Sequence, residues 1–130
     1  VEQYLKSKIS SHRNITMKTI IAGSRNIVDT ALLTEAIIAS GFTITEVVSG
    51  MAHGVDRMGQ AWATEHGIPI KHFPPDWKLY GRGAGPVRNR EMADYADALI
   101  ALWDGKSGGT RHMIKTARER SLMIYIHGIE

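Results

Sequence analysis

Short apolar runs rich in β-branched residues alternate along this chain with stretches whose apolar positions recur every three or four residues. That alternation is the pattern of βα units wound around a parallel sheet. The runs predict strands at Thr19 to Ala22, Ile44 to Ser49, Ile68 to Phe73, Ala98 to Leu102 and Met123 to Ile126. A helix is predicted over DTALLTEAIIAS, with Asp29 as N-cap and Gly41 as stop, and another over GVDRMGQAWATEHG, ending at Gly67. Two more follow: PVRNREMADYA, with Pro86 at the first helical position, and GTRHMIKTARER, whose Arg118 and Arg120 suit the negative end of a helix dipole. The expected fold is α/β: one domain over residues 17–130, a doubly wound sheet of about five mainly parallel strands flanked by helices. The segment from Pro74 to Gly85 is the one long irregular connection, and its Trp77 and Tyr80 read as part of a structured loop near a site. Residues 1–16 read as an N-terminal arm or extension, because they lack the apolar core of a signal peptide and Met17 stands directly before a strand.

Composition narrows the classes. With 43% apolar and 22% charged residues over 130 positions, the chain is ordinary for a soluble globular domain, and no run reaches the roughly 20 apolar residues of a membrane helix. The absence of cysteine excludes disulfides, zinc thiolate sites and thiol nucleophiles, and a cytoplasmic location is the default expectation. The six histidines lack metal-ligand spacing, so neither a metal nor a cofactor is expected, and His53 and His112 read as polar residues at a site mouth. A net charge of +3 with mixed signs favours anionic ligands without demanding nucleic acid.

Candidate chemistry gathers where strands end. Ligands of parallel α/β sheets bind beyond the carboxyl ends of the strands, where helix N-termini favour anions. After the first strand come Gly23, Ser24 and Arg25; after the second, Ser49, Gly50, Gly54 and Asp56; after the fourth, Gly108, Gly109 and Thr110. Arg88 and Arg90 open the helix before the fourth strand. Glycines at such turns are common without any ligand, but three in register, each with Ser, Thr or Arg, point to phosphate binding. Neither the dinucleotide fingerprint nor the P-loop pattern occurs. Asp56 reads first as a partner of its own helix N-terminus and second as a base. Trp103 either stacks on a base or belongs to the core.

Taken together, MKTIIAGSRN, VVSGMAHGVDRMGQAWA, FPPDWKLYGRGAGPVRNREMADYADALIALWDGKSGGT and MIYI resemble the SLOG superfamily, nearest its small YspA-like, YpsA-related branch. The resemblance covers Met17 to about Ile126 and implies a Rossmann-like fold that binds nucleotides or nucleotide-derived ligands. The related LONELY GUY phosphoribohydrolases imply roles for Arg88, Gly109 and Thr110, which match their motifs. Asn89, however, stands where that family has lysine, and Met113 where it has the catalytic glutamate. Cleavage of an N-glycosidic bond builds positive charge on the sugar, which a carboxylate stabilises and a methionine does not. The related DNA-processing protein A has similar turns, which Ser24, Arg25, Ser49, Gly50, Ala52, Gly54 and Asp56 match, and binds single-stranded DNA.

Three functions follow in order of preference. The first is a sensor or processing module that binds a nucleotide or nucleotide-derived small molecule through Gly23, Ser24, Arg25, Ser49, Gly50, Gly54, Arg88, Gly108, Gly109 and Thr110. The second is a hydrolase of nucleotide-derived substrates, which needs a replacement carboxylate. Glu91 is the first choice, three residues after Arg88 on the same helix, with Asp56 and Asp104 as the others. The third is a binder of single-stranded nucleic acid, a weaker reading because no platform of interleaved aromatic and basic residues is evident. No membrane partner is expected. A homo-oligomer is, with the helix face in MIKTARERSLM as one contributor.

Overall fold

A computed structural model of the chain describes residues 16–129; the expected arm, apart from residue 16, lies outside them. Five strands form one sheet: β1 (Lys18–Gly23), β2 (Glu46–Ser49), β3 (Ile70–His72), β4 (Ala98–Trp103) and β5 (Met123–Gly128). The helices are α1 (Thr30–Ser40), α2 (Val55–Glu65), the short α3 (Trp77–Tyr80), α4 (Ala84–Tyr95) and α5 (Gly108–Glu119). The strand order is β3-β2-β1-β4-β5 and every pairing is parallel. The chain therefore winds outward from β1 in one direction, returns, and winds outward from β4 in the other.

Alternation along the strands divides the core into two layers. Ile21, Val47, Ile100 and Leu102 pack on one face with Leu33 and Ala36 of α1 and Val55 and Met58 of α2. Ile20, Val48, Leu99 and Ala101 pack on the other with Met92 and Ala93 of α4 and Met113, Ile114 and Ala117 of α5. The central strands β1 and β4 are buried on both sides, which is why they read as continuous apolar runs rather than alternating ones.

The predicted caps of α1 are present: the Asp29 carboxylate accepts from the Ala31 N–H at 2.9 Å, and Gly41 closes the helix at φ 70°. Several boundaries differ from expectation: β2 starts at Glu46 rather than Ile44 and β5 runs to Gly128 rather than Ile126, and three differences lie nearer the site. The edge strand β3 starts at Ile70 rather than Ile68, because the Ile68 N–H is taken by the Ala63 carbonyl at the end of α2 and Pro69 has no N–H to give. The Pro74 to Gly85 connection is not wholly irregular: Asp76 caps α3 by accepting from the Leu79 N–H at 3.0 Å, and a 3₁₀ turn at Gly81–Gly83 leads into α4. Helix α4 consequently begins at Ala84, so Pro86 is its third residue, still within the first turn whose N–H groups have no helical partner. No helix among the described residues is long and apolar enough to cross a membrane.

Gly59 fixes how closely α2 approaches the sheet. A Cβ there would lie 2.9 Å from both Cβ and Cγ2 of Ile21, in the middle of the buried central strand β1. Replacing a mid-helix glycine by alanine ordinarily stabilises by about 1 kcal/mol. At this position overpacking outweighs propensity, and Gly59→Ala is expected to destabilise by about 1–3 kcal/mol in urea denaturation. A variant as stable as the parent would show that α2 has room to move off the sheet.

Candidate functional site

Reversal of winding between β1 and β4 sends the loops after those strands toward opposite faces and leaves a crevice at their carboxyl ends. A cleft of about 740 Å³ occupies that place, within the range of small-molecule sites. The expected residues Gly23, Ser24, Arg25, Gly50, Arg88, Gly108, Gly109, Thr110 and Asp56 all line it. Ser49, Gly54 and Glu91 do not.

Four helices start at the cleft, and three of them carry no side-chain cap. Helix α2 follows Gly54, α4 follows Gly83 and α5 follows Ser107, in each case with no side-chain hydrogen bond to the first turn from the capping residue. By contrast α1 and α3 are capped by Asp29 and Asp76. At α4 the Ala84 N–H is already bonded to the Gly81 carbonyl and Pro86 has none, whereas the N–H groups of Gly108, Gly109 and Thr110, at the positive end of the α5 dipole, border the cleft directly. An anion there meets donors that no protein acceptor occupies in the first turn of α5.

The loop that presents α5 is braced from within. Asp104 Oδ1 accepts from the backbone N–H groups of Lys106 and Ser107, both at 2.8 Å, and these bonds hold its pKa below the usual carboxylate value. Ser107 Oγ donates to Ser24 Oγ at 2.9 Å, tying the loop after β4 to the loop after β1. Trp103 Nε1 donates to the Ser107 carbonyl at 3.2 Å, and Arg111 lies over the Trp103 ring. Of the two readings of Trp103, the structure gives the core one: the ring packs against the core layer and is outside the cleft lining.

Arg88 is the central cation. It is half-buried; one of its terminal nitrogens donates to the Gly50 carbonyl and its Nε donates to Asn89 Oδ1 at 3.1 Å. Two of five N–H groups are thus committed, leaving three for a ligand. Gly50 is required for this fit, because a Cβ on it would lie 2.6 Å from the guanidinium. The pairing also orients its neighbour: with Oδ1 of Asn89 accepting from Arg88, Nδ2 donates to Nδ1 of His112 at 3.0 Å. The neutral His112 ring then carries its proton on Nε2. Burial, followed by the nearby positive charges of Arg90 and Lys115, lowers the His112 pKa. Asn89 was noted in the sequence only as a missing lysine; its part in this relay depends on contacts across 23 positions that no local pattern reveals.

Asp56 is the one carboxylate among the described residues lining the cleft. It sits in the first turn of α2, 5% exposed, with Oδ2 accepting from the Ala52 N–H at 3.3 Å. Burial pushes its pKa from the usual 3.8 up to about 6, against the opposing pull of the Ala52 N–H and the Arg88 charge. Glu91 is placed differently from expectation. The buried stripe of α4 runs through Asn89, Met92 and Ala93, and Glu91 projects to the exposed side. Sharing a helix with Arg88 does not bring it to the cleft. Met113, where the hydrolytic relatives place a glutamate, is 1% exposed and packs with Met92 at the cleft floor.

Ser49 and Gly54 act behind the lining. Ser49 Oγ accepts from the Met51 N–H at 3.1 Å and from Gln60 Nε2 at 2.8 Å. Gly54 has φ 77° and lies against the Arg25 carbonyl, so it lets the loops after β1 and β2 touch. No cluster of three or more metal-ligating side chains occurs among the described residues.

Comparison with known proteins agrees with this architecture. DNA processing protein A from Streptococcus pneumoniae has a structure that matches with a TM-score of 0.67 at 17% identity, covering 85% of this chain. The likeness is one of fold, and this chain spans half the length of that one. The Gene 61 protein of Mycobacterium phage D29 is 33% identical over 88 residues, which cover 63% of this chain and 70% of that protein. Residues 17–80, from β1 to the end of α3, match the YspA, cpYpsA-related SLOG family. With the strand order, the glycine turns and these matches in agreement, the chain belongs to the YspA, cpYpsA-related SLOG family.

Proposed function

We propose that the cleft binds a nucleotide or nucleotide-derived small molecule, with its phosphate at the start of α5 and against Arg88. The observation that carries this reading is the first turn of α5, which carries no side-chain cap, beside a half-buried arginine on one cleft, whereas α1 and α3 are capped by aspartate. Backbone donors of this kind accept a phosphate without reorganisation. Ser24 and Ser107 close the wall between them, and Arg25 adds an exposed cation at the rim.

A second reading, hydrolysis, draws support from Asp56. It is a buried cleft acid whose pKa is raised toward neutrality, as general acids and bases require. In that reading Asp56, rather than Glu91 or Asp104, is the group that handles the proton. Asp104 is committed to its own loop and Glu91 faces away.

Ligand-dependent thermal unfolding tests the first reading. A ligand at a hundredfold excess over its Kd stabilises by about 2.7 kcal/mol. Millimolar nucleoside monophosphates are therefore expected to raise Tm by several degrees, and Arg88→Gln to abolish most of that shift while folding normally. No shift with any nucleotide would remove the reading. An oligonucleotide that binds far more tightly than a mononucleotide, with affinity falling steeply in salt, would instead favour nucleic acid.

Asp56 gives a pH test. Its folded pKa lies above its unfolded one, so the folded state holds the proton longer and stability falls as pH rises from about 4 to 6. Above that window both states are ionised and the loss is complete, at roughly 3 kcal/mol for a shift of about two pKa units. Asp56→Asn removes the titration. Its stability relative to the parent is expected to grow between pH 4 and 6 and then level off. A pH-independent difference would show that Asp56 ionises normally. For the hydrolytic reading, release of free base from nucleoside monophosphates should be absent in this variant and unchanged in Glu91→Gln.

A further inference from the structure

Beyond the donors of α5 and Arg88, the cleft ends in an apolar rim that the phosphate site does not use. Trp77 lines the cleft yet is 61% exposed, and Met51 lines it at 43% exposed. Pro75 lies on the same rim. Covering such side chains removes apolar surface from water and is favourable. Here the fold holds them out. Met51 has φ 64°, a left-handed conformation uncommon for a residue with a Cβ, and its N–H is fixed by Ser49 Oγ at 3.1 Å, itself held by Gln60 at 2.8 Å. Trp77 opens α3 directly after the Asp76 cap, so its backbone is set by hydrogen bonds while its ring has no core to enter.

Resting on the phosphate reading above, we infer that Trp77 and Met51 form the base subsite, and that the ligand is a nucleotide with its planar base intact rather than a sugar phosphate. Three features support this assignment. The indole face and the polarisable thioether are both suited to a flat π-system. The rim belongs to the same cleft as the donors of Gly108 to Thr110, so one molecule with an anionic end and a flat apolar end spans both. The cleft volume is of small-molecule size, which fits one nucleotide. Ribose 5-phosphate or inorganic phosphate satisfies the floor and leaves the rim exposed.

Calorimetry on the full chain separates this inference from the reading beneath it. The probes are the four ribonucleoside 5′-monophosphates, ribose 5-phosphate and inorganic phosphate, tested on the parent, Trp77→Ala, Trp77→Phe and Met51→Ala. At least one nucleotide is expected to bind the parent about 10- to 100-fold more tightly than ribose 5-phosphate, as base stacking on an aromatic ring provides. Trp77→Ala should lose most of that factor, Trp77→Phe should recover much of it, and Met51→Ala should lose part. All variants should bind ribose 5-phosphate as the parent does. If ribose 5-phosphate binds as tightly as every nucleotide, or if Trp77→Ala weakens both equally, the base subsite is overturned while the phosphate reading stands. If nothing binds, both fall.

Discussion

Everything functional in this domain depends on the pairing of β1 with β4. The two strands are bonded in parallel register from Thr19 and Ala98 to Gly23 and Leu102, and the Ser24 N–H extends the ladder by one more bond to the Leu102 carbonyl. Because the chain leaves β1 toward one edge of the sheet and leaves β4 toward the other, no connection can cover the gap between their ends. The cleft is thus a product of topology before any side chain is chosen. The Ser107–Ser24 hydrogen bond then fixes its width, and Gly23 keeps it open, since a Cβ there would collide with the Leu102 carbonyl.

Within that gap the electrostatics are coupled. Arg88 and Asp56 are desolvated near each other without forming a direct ion pair, and each charge favours the ionised form of the other. A phosphate brought to Arg88 competes for the same positive charge and adds a negative one beside Asp56. Anion binding and protonation of Asp56 therefore favour each other, whatever the ligand is. On the other side of Arg88, the Asn89 amide that it orients sets the proton position of His112.

Much of this arrangement was legible in the chain. Helix caps at Asp29 and Gly41, the two-sided burial of β1 and β4, and the three glycine turns follow from local chemistry, and local chemistry is what a sequence displays. The errors are of a different kind. Placing Glu91 in the site relied on its spacing from Arg88, but the rotation of α4 is set by Asn89, Met92 and Ala93 packing on the sheet. Trp77 and Tyr80 read from the sequence as part of a structured loop near a site, but not as a capped turn of helix, because that turn is only four residues long and is fixed by the Asp76 cap. The Ser24–Ser107 and Asn89–His112 contacts join residues 83 and 23 positions apart. No window on the sequence contains them.

Two tryptophans show why composition alone could not divide floor from rim. Trp103 ends a buried strand and is consumed in bracing the α5 loop, whereas Trp77 follows the Asp76 cap after a proline pair and is left facing the cleft. Met113 completes the contrast. Packed with Met92 at 1% exposure, it makes the cleft floor apolar at the position where the hydrolytic relatives carry an acid. A carboxylate there would be costly to ionise, and a water beside it would have few polar partners. The replacement thus removes both the acid and a place for the water it would activate. Cleavage, in the hydrolytic reading, has to proceed from the opposite wall, where Asp56 already carries the raised pKa.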